Sequence, residues 1–167
     1  MLLLRICEWL DATPWSVAMR HSDWAFPMLD VIHTLGIVLV AGTIMLVDLR
    51  LLGFGLRGAP IQELVARIVP ATLWGFALMA VSGALLFSSE AVKMYNSDAF
   101  RIKMLLLALA GANALIFHRT VYRNAASWDP SGAPLRARLA GLLSLIFWIA
   151  VIAAGRAIAY APGYDLG

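Results

Sequence analysis

Ionisable residues lie inside otherwise apolar stretches of this sequence, and they are the groups best suited to carry chemistry. Four of them are Asp30, His33, Lys103 and Arg156. A charge at the centre of a membrane-spanning helix costs roughly 2.5–3.5 kcal/mol on insertion scales, so each of these groups requires a partner or a ligand. A histidine in that setting is suited to proton relay or to coordination of a metal or haem iron. Because Asp30 and His33 are three residues apart, they share one helix face.

The stretches that carry these residues are long enough to cross a lipid bilayer. The chain has 167 residues, of which 62% are hydrophobic and only 14% charged, whereas a soluble domain is nearer half apolar and a quarter charged. A bilayer core requires about 20 apolar residues per helix. The sequence therefore predicts an all-α fold, a four-helix transmembrane bundle forming a single domain over 1–167, with spans at residues 26–52, 68–87, 100–121 and 139–160.

The N-terminal segment, residues 1–23, has a different character. Apolar residues such as Leu2, Ile6 and Trp9 recur at helical spacing among charged ones, and Thr13-Pro14 is a typical helix start. Each piece is too short and too charged to span. We expect amphipathic helices that lie in the membrane interface, and a further short interfacial helix near residues 91–95.

Arginine placement predicts the orientation of the spans. Seven arginines occupy the two loops that join the first span to the second and the third to the fourth: Arg50, Arg57, Arg67, Arg119, Arg123, Arg136 and Arg138. The positive-inside rule then places both loops in the cytoplasm and both termini in the periplasm of a bacterial inner membrane. Because the net charge is only +3 and is spread over short loops, the sequence argues against nucleic-acid binding.

This orientation places the four ionisable groups together in the outer half of the bundle. Asp30 and His33 lie one to two turns below the outer face, Lys103 begins the third span and Arg156 ends the fourth. With His33 neutral, the four carry a surplus of one positive charge, which favours an anionic guest. His118 lies at the opposite end, on the order of 20 Å deeper than His33, so the two histidines cannot ligate one iron.

Structural roles are the alternative for several of these residues. His33 could form only a buried hydrogen bond, Lys103 could extend to the interface, and His118 could cap a helix end. Asp48 and Arg50 are interpreted as a cluster at the inner boundary of the first span. Five glycines are predicted to allow close helix contact: Gly36, Gly42, Gly83, Gly111 and Gly155.

Two of the predicted spans resemble a loose group of small four-helix bacterial membrane proteins. The motifs that carry the resemblance are His33-Thr-Leu-Gly-Ile, Gly42 and Asp48-Leu-Arg50-Leu-Leu-Gly53 in the first span, and Phe100-Arg-Ile-Lys103-Met-Leu-Leu, Asn113 and Phe117-His118 in the third. Gly155-Arg156 in the fourth span adds to them. The group includes an uncharacterised family, copper-resistance D-type proteins and HemJ-type protoporphyrinogen oxidases.

The resemblance implies a cofactor. HemJ-type enzymes are regarded as b-haem proteins, which implies a haem b near His33 and Lys103. The sequence departs from bis-histidine ligation, because no second histidine lies at the depth of His33 on another span. His21, in the N-terminal segment, is the other histidine on that side. Asn113 and His118 complete the set of secondary candidates.

We therefore expect a small membrane protein that binds haem b or takes part in electron transfer. His33 would be an axial ligand, Lys103 or Arg156 would pair with the propionates or supply the opposite ligand, and Asp30 would orient its neighbours. A quinone or a redox protein would be the partner. The alternative is a non-enzymatic accessory subunit, or a carrier of a small solute or ion, in which the same residues form a buried charge network. Any chemistry would come from a bound cofactor.

Overall fold

The computed structural model describes residues 2–54, 60–128 and 132–160. The regular secondary structure of these residues is helical, and none of them forms a strand. Arg57, one of the seven loop arginines, lies outside them. The α-helices of the described part are α1 (Leu2–Asp11), α2 (Pro14–Arg20), α3 (Ala25–Leu52), α4 (Ile61–Ser89), α5 (Ala91–Asn96), α6 (Asp98–Ile116) and α7 (Leu135–Ile158).

Four of these helices, α3, α4, α6 and α7, are long and apolar enough to cross a membrane. The predicted all-α four-helix membrane fold is thereby confirmed. The largest difference from the predicted bounds is at α4, which begins at Ile61 instead of residue 68. Ile61 and Val65 are one turn apart and both buried, while Glu63 and Arg67 pair at 2.6 Å on the exposed side. The extra turns are therefore amphipathic.

The third span ends in an irregular segment. α6 stops at Ile116, and a π-helical turn over Phe117–Val121 leads into 3₁₀ turns over Tyr122–Ser127. Within the π-helical turn, Phe117 is buried in a cluster with Leu51 and Val65. The neighbouring His118 is exposed. The irregular turn thus anchors the end of α6 by its aromatic side chain.

The spans pack in the order α4, α3, α7, α6. α3 lies along α4 on one side and along α7 on the other, and α6 packs on α7. α4 and α6 have little direct packing, and the rings of Phe87 and Phe100 join them by stacking with centroids 5.5 Å apart. We call the end at which α3 and α6 begin the His33 end, and the opposite end the Asp48 end.

Glycines set the distance between α3 and α4. A Cβ at Gly36 would lie 3.0 Å from the backbone nitrogen of Met79, and one at Gly75 would lie 3.0 Å from side-chain atoms of α3. Close backbone approach of this kind is typical of membrane helices. Gly42 and Gly111 differ from the prediction: a Cβ at either would have no neighbour within 4 Å among the described residues.

The two N-terminal helices form where the sequence predicts them, and they cover the end of α4. Thr13 caps α2, its Oγ1 accepting a hydrogen bond from the Ser16 backbone at 3.3 Å. The fully buried Ser16 hydroxyl donates to the Ser88 carbonyl at 2.7 Å. Arg20 donates to the Ser89 carbonyl. These are carbonyls of the last turn of α4, which lack helical partners.

Large apolar side chains of this N-terminal pair remain exposed: Leu2, Leu3, Trp9, Trp15 and, in the following turn, Trp24. Exposed tryptophan beside charged residues is typical of helices at a lipid–water boundary. The interfacial location remains a prediction.

Candidate functional site at His33

The histidine of the first span is buried against α4. His33 retains 9% of its surface, and its Nδ1 lies 3.0 Å from Ser82 Oγ. The Ser82 hydroxyl donates to the Leu78 carbonyl at 2.6 Å. Because a serine hydroxyl carries a single proton, Ser82 accepts its other hydrogen bond from His33, and the imidazole proton resides on Nδ1. The lone pair of the neutral ring is then on Nε2.

Gly83 provides the space beside the imidazole ring. A Cβ at this position would lie 2.9 Å from His33 Cε1 and 3.9 Å from Nε2. The Met79 backbone also hydrogen-bonds the imidazole. Among the described side chains, Ser82 is the hydrogen-bond partner of the ring, and its contact is at Nδ1. On this assignment Nε2 carries the lone pair that a ligand would use.

Two charged residues act on His33. Lys103 and Asp30 both interact electrostatically with the imidazole and with each other. Lys103 is half-buried and lies over Gly155 of α7, where a Cβ would be 3.8 Å from Lys103 Cε and 3.9 Å from Nζ. Asp30 is exposed one turn before His33. Three of the four predicted site residues are thus brought together.

Arg156 lies at the same end of the bundle but is directed elsewhere. Its exposed guanidinium is 5.9 Å from the ring centre of Tyr160, which lies in the turn just beyond the end of α7. With His33 neutral, Asp30 and Lys103 balance each other. The predicted surplus of positive charge therefore depends on Arg156 alone. Its part in the site remains a prediction.

The secondary candidates occupy other places. His21 ends α2 and is exposed. Asn113 donates to the Ala140 carbonyl at 3.0 Å and so joins α6 to α7. His118 is exposed, with its ring edge-on to that of Tyr122 at 5.1 Å. Fifteen residues separate it from Lys103, which corresponds to about 22 Å along the helix.

The sequence analysis missed Ser82 as the partner of His33 and took Gly83 only for a packing residue. The positions of His33 and Ser82 along their helices could have identified the pair. His33 is eight residues into α3 and Ser82 is seven residues before the end of α4. In antiparallel neighbours these positions lie at one level, and the hydroxyl is the nearest polar group of α4 at that level.

The fold and the site together define a class of protein. Four apolar spans, capped at one end by short helices and containing a buried histidine–serine pair, fit a multi-pass helical membrane protein. More specifically, the chain belongs to DUF6644, a family of unknown function, whose model matches residues 25–161. The match begins at the first residue of α3 and covers every span. No curated protein and no solved structure matches the chain significantly.

Proposed function

We propose that the chain binds a b-type haem or a related redox cofactor at His33 and takes part in electron transfer in a bacterial inner membrane. The observation that supports this most directly is the orientation of His33. Its Nδ1 lies against the Ser82 hydroxyl, which itself donates to the Leu78 carbonyl, and in the tautomer that fits this contact the lone pair is on Nε2. Histidines that ligate metals almost always donate their other ring N–H to a fixed acceptor in this way.

The donor set fits haem with a single protein ligand. Among the described residues, His33 is the one histidine at its level of the bundle. A single histidine is sufficient, because haem iron is held by one proximal histidine in several protein classes. Lys103, which acts electrostatically on His33, would offer a cation to a propionate, and Arg156 follows the glycine over which Lys103 lies. When bound, the haem would supply one-electron chemistry, while the chain would supply its ligand, its orientation and an apolar surrounding.

The packing of the spans supports access from the bilayer. α4, which contains Ser82 and Gly83, and α6, which contains Lys103, have little direct packing with each other. A lipid-soluble group, such as a haem or a quinone partner, would reach His33 between these two helices. The stacked rings of Phe87 and Phe100 would close the gap at the His33 end.

An optical spectrum of the purified, haem-supplied protein tests the proposal. We expect a Soret band that moves on dithionite reduction and that His33→Ala removes. His118→Ala is the matched control, because it makes the same substitution in an exposed histidine at the other end. A spectrum without such a band, or a band that survives in folded His33→Ala, would contradict haem binding at this site.

The balanced charges around His33 favour a second candidate. Asp30 and Lys103 interact electrostatically with each other and with the imidazole of His33. A polar network of this kind would suit a carrier of a small solute or ion, or would stabilise an accessory subunit. Radiotracer uptake into proteoliposomes, with His33→Ala as the comparison, separates the carrier from the haem protein. Uptake by a preparation without a Soret band would support the carrier.

A further inference from the structure

Asp48 is a buried carboxyl group in the first span that the site at His33 does not use. Only 4% of the residue is exposed, and its Oδ2 has no hydrogen-bond partner in the described part of the chain. Ser144 of α7 is the side chain that hydrogen-bonds the carboxyl. One oxygen of the group is therefore both dehydrated and unpaired.

No counter-charge reaches this carboxyl among the described residues. Arg50 is two residues further along α3, and residues two apart do not share a helix face. On the neighbouring helices the charged groups of this end are exposed: Glu63 and Arg67 pair with each other on α4, and Arg136 and Arg138 begin α7.

The contact between α3 and α7 keeps water from the carboxyl. A Cβ at Gly141, one turn before Ser144, would lie 3.2 Å from the Asp48 carbonyl oxygen and 3.3 Å from Leu51 Cβ. The two backbones therefore approach closely beside the carboxyl. An ionised carboxylate without water, cation or donor pair is far more costly to bury than a neutral acid.

We propose that Asp48 and Ser144 form a proton-binding site inside the membrane, in which the carboxyl carries its proton at neutral pH. Protonation removes the buried charge and leaves a neutral acid that Ser144 hydrogen-bonds. A resident cation is less suited to the site, since it would need several oxygen ligands, and Asp48 and Ser144 offer few. Fifteen residues, or about 22 Å of helix, separate Asp48 from His33, so this site does not depend on a cofactor there.

Carbodiimide labelling tests the proposal on the full chain in native membranes. Dicyclohexylcarbodiimide is lipid-soluble and reacts with protonated carboxyl groups in apolar surroundings. We expect one adduct, mapped to Asp48 by peptide mass, which diminishes as the pH is raised and is absent from Asp48→Asn. Glu63→Gln is the matched control and should leave the adduct unchanged, because Glu63 is exposed and paired with Arg67. Asn retains a neutral hydrogen-bonding group, so Asp48→Asn should fold.

A second measurement needs no variant. Infrared spectra of protein labelled with ¹³C-aspartate should contain an aspartic acid C=O band, separate from the carboxylate bands, that shifts in D₂O. Absence of this band at neutral pH, or folded protein in which Asp48 is labelled no more than Glu63, would overturn the proposal. Protection of Asp48 by sodium at constant pH would overturn it in favour of a cation site.

Discussion

The Nδ1 of His33 and the Oγ of Ser82 are 3.0 Å apart, and this hydrogen bond joins α3 to α4 within their contact. The direction of the bond follows from the second contact of Ser82, which donates to the Leu78 carbonyl. Ser82 therefore holds the ring on the α4 side and favours the tautomer with the proton on Nδ1. The consequences are measurable at Ser82 itself and at the glycine beside it.

Ser82→Ala should weaken binding at His33 while the protein remains folded. Loss of an outer partner of a metal-ligating histidine typically lowers metal affinity by about 10- to 100-fold. Ser82→Thr retains the hydroxyl and serves as the control, with affinity closer to that of the native protein. Haem titration followed at the Soret band measures both. Equal affinity in Ser82→Ala and the native protein would show that Ser82 does not orient the ligand.

Gly83→Ala should displace the imidazole ring. The added Cβ would lie 2.9 Å from His33 Cε1, a distance that forces the ring or the helix to move. We expect a destabilisation of roughly 1–3 kcal/mol from overpacking, together with weaker haem binding. Gly111→Ala is the control, because its Cβ meets nothing within 4 Å in the described residues. Denaturation in detergent and haem titration give the two readouts, and equal behaviour of both variants would contradict the contact.

Gly36→Ala should separate α3 from α4. Its Cβ would lie 3.0 Å from the backbone nitrogen of Met79, and backbone yields less readily than a side-chain end. We expect a loss of about 1–3 kcal/mol in the free energy of unfolding. Gly42→Ala, on the same helix with open space around it, should be neutral or stabilising by up to about 1 kcal/mol. If thermal unfolding shows Gly42→Ala to be less stable than Gly36→Ala, the close contact of Gly36 with Met79 is contradicted.

A reporter fused to the C-terminus tests the orientation. Seven arginines in the two loops on the Asp48 end predict that this end faces the cytoplasm. Alkaline phosphatase at the C-terminus should therefore be active, and a green fluorescent protein fusion of matched length should be dark. The reverse pattern would invert the assignment of the His33 end to the periplasm.

The length and apolarity of four segments were enough to predict the membrane fold, because a bilayer imposes both. The second span was placed from about residue 68 because Glu63 and Arg67 reduce the local hydropathy, and residues 61–67 form the first turns of the same helix. In the structure Glu63 and Arg67 neutralise each other on the exposed side of a helix whose other face packs at Ile61 and Val65. Composition along the chain does not distinguish such an amphipathic turn from a polar loop.

The sequence predicted the level of the candidate site residues along the helices, but not the side of each helix that faces its neighbour. Counting residues from the span ends placed His33 and Lys103 at one level, and in the structure the two are near enough to interact electrostatically. The rotation of each helix about its axis carried no signal, because α3 is apolar on every side and lacks the stripe that marks an inward face in soluble proteins. Packing at Gly36 and Gly83 sets that rotation, which is why Ser82 escaped notice.

The hydrogen bonds from α2 to the end of α4 impose an order on biogenesis. Ser16 and Arg20 bind carbonyls that follow them by 72 and 69 residues in the chain. When the ribosome has made α1 and α2, their docking place has not yet been synthesised. The contacts of α2 with Ser88 and Ser89 can therefore form only after the whole of α4 has been synthesised, so the N-terminal cap is assembled late although it comes first in the chain.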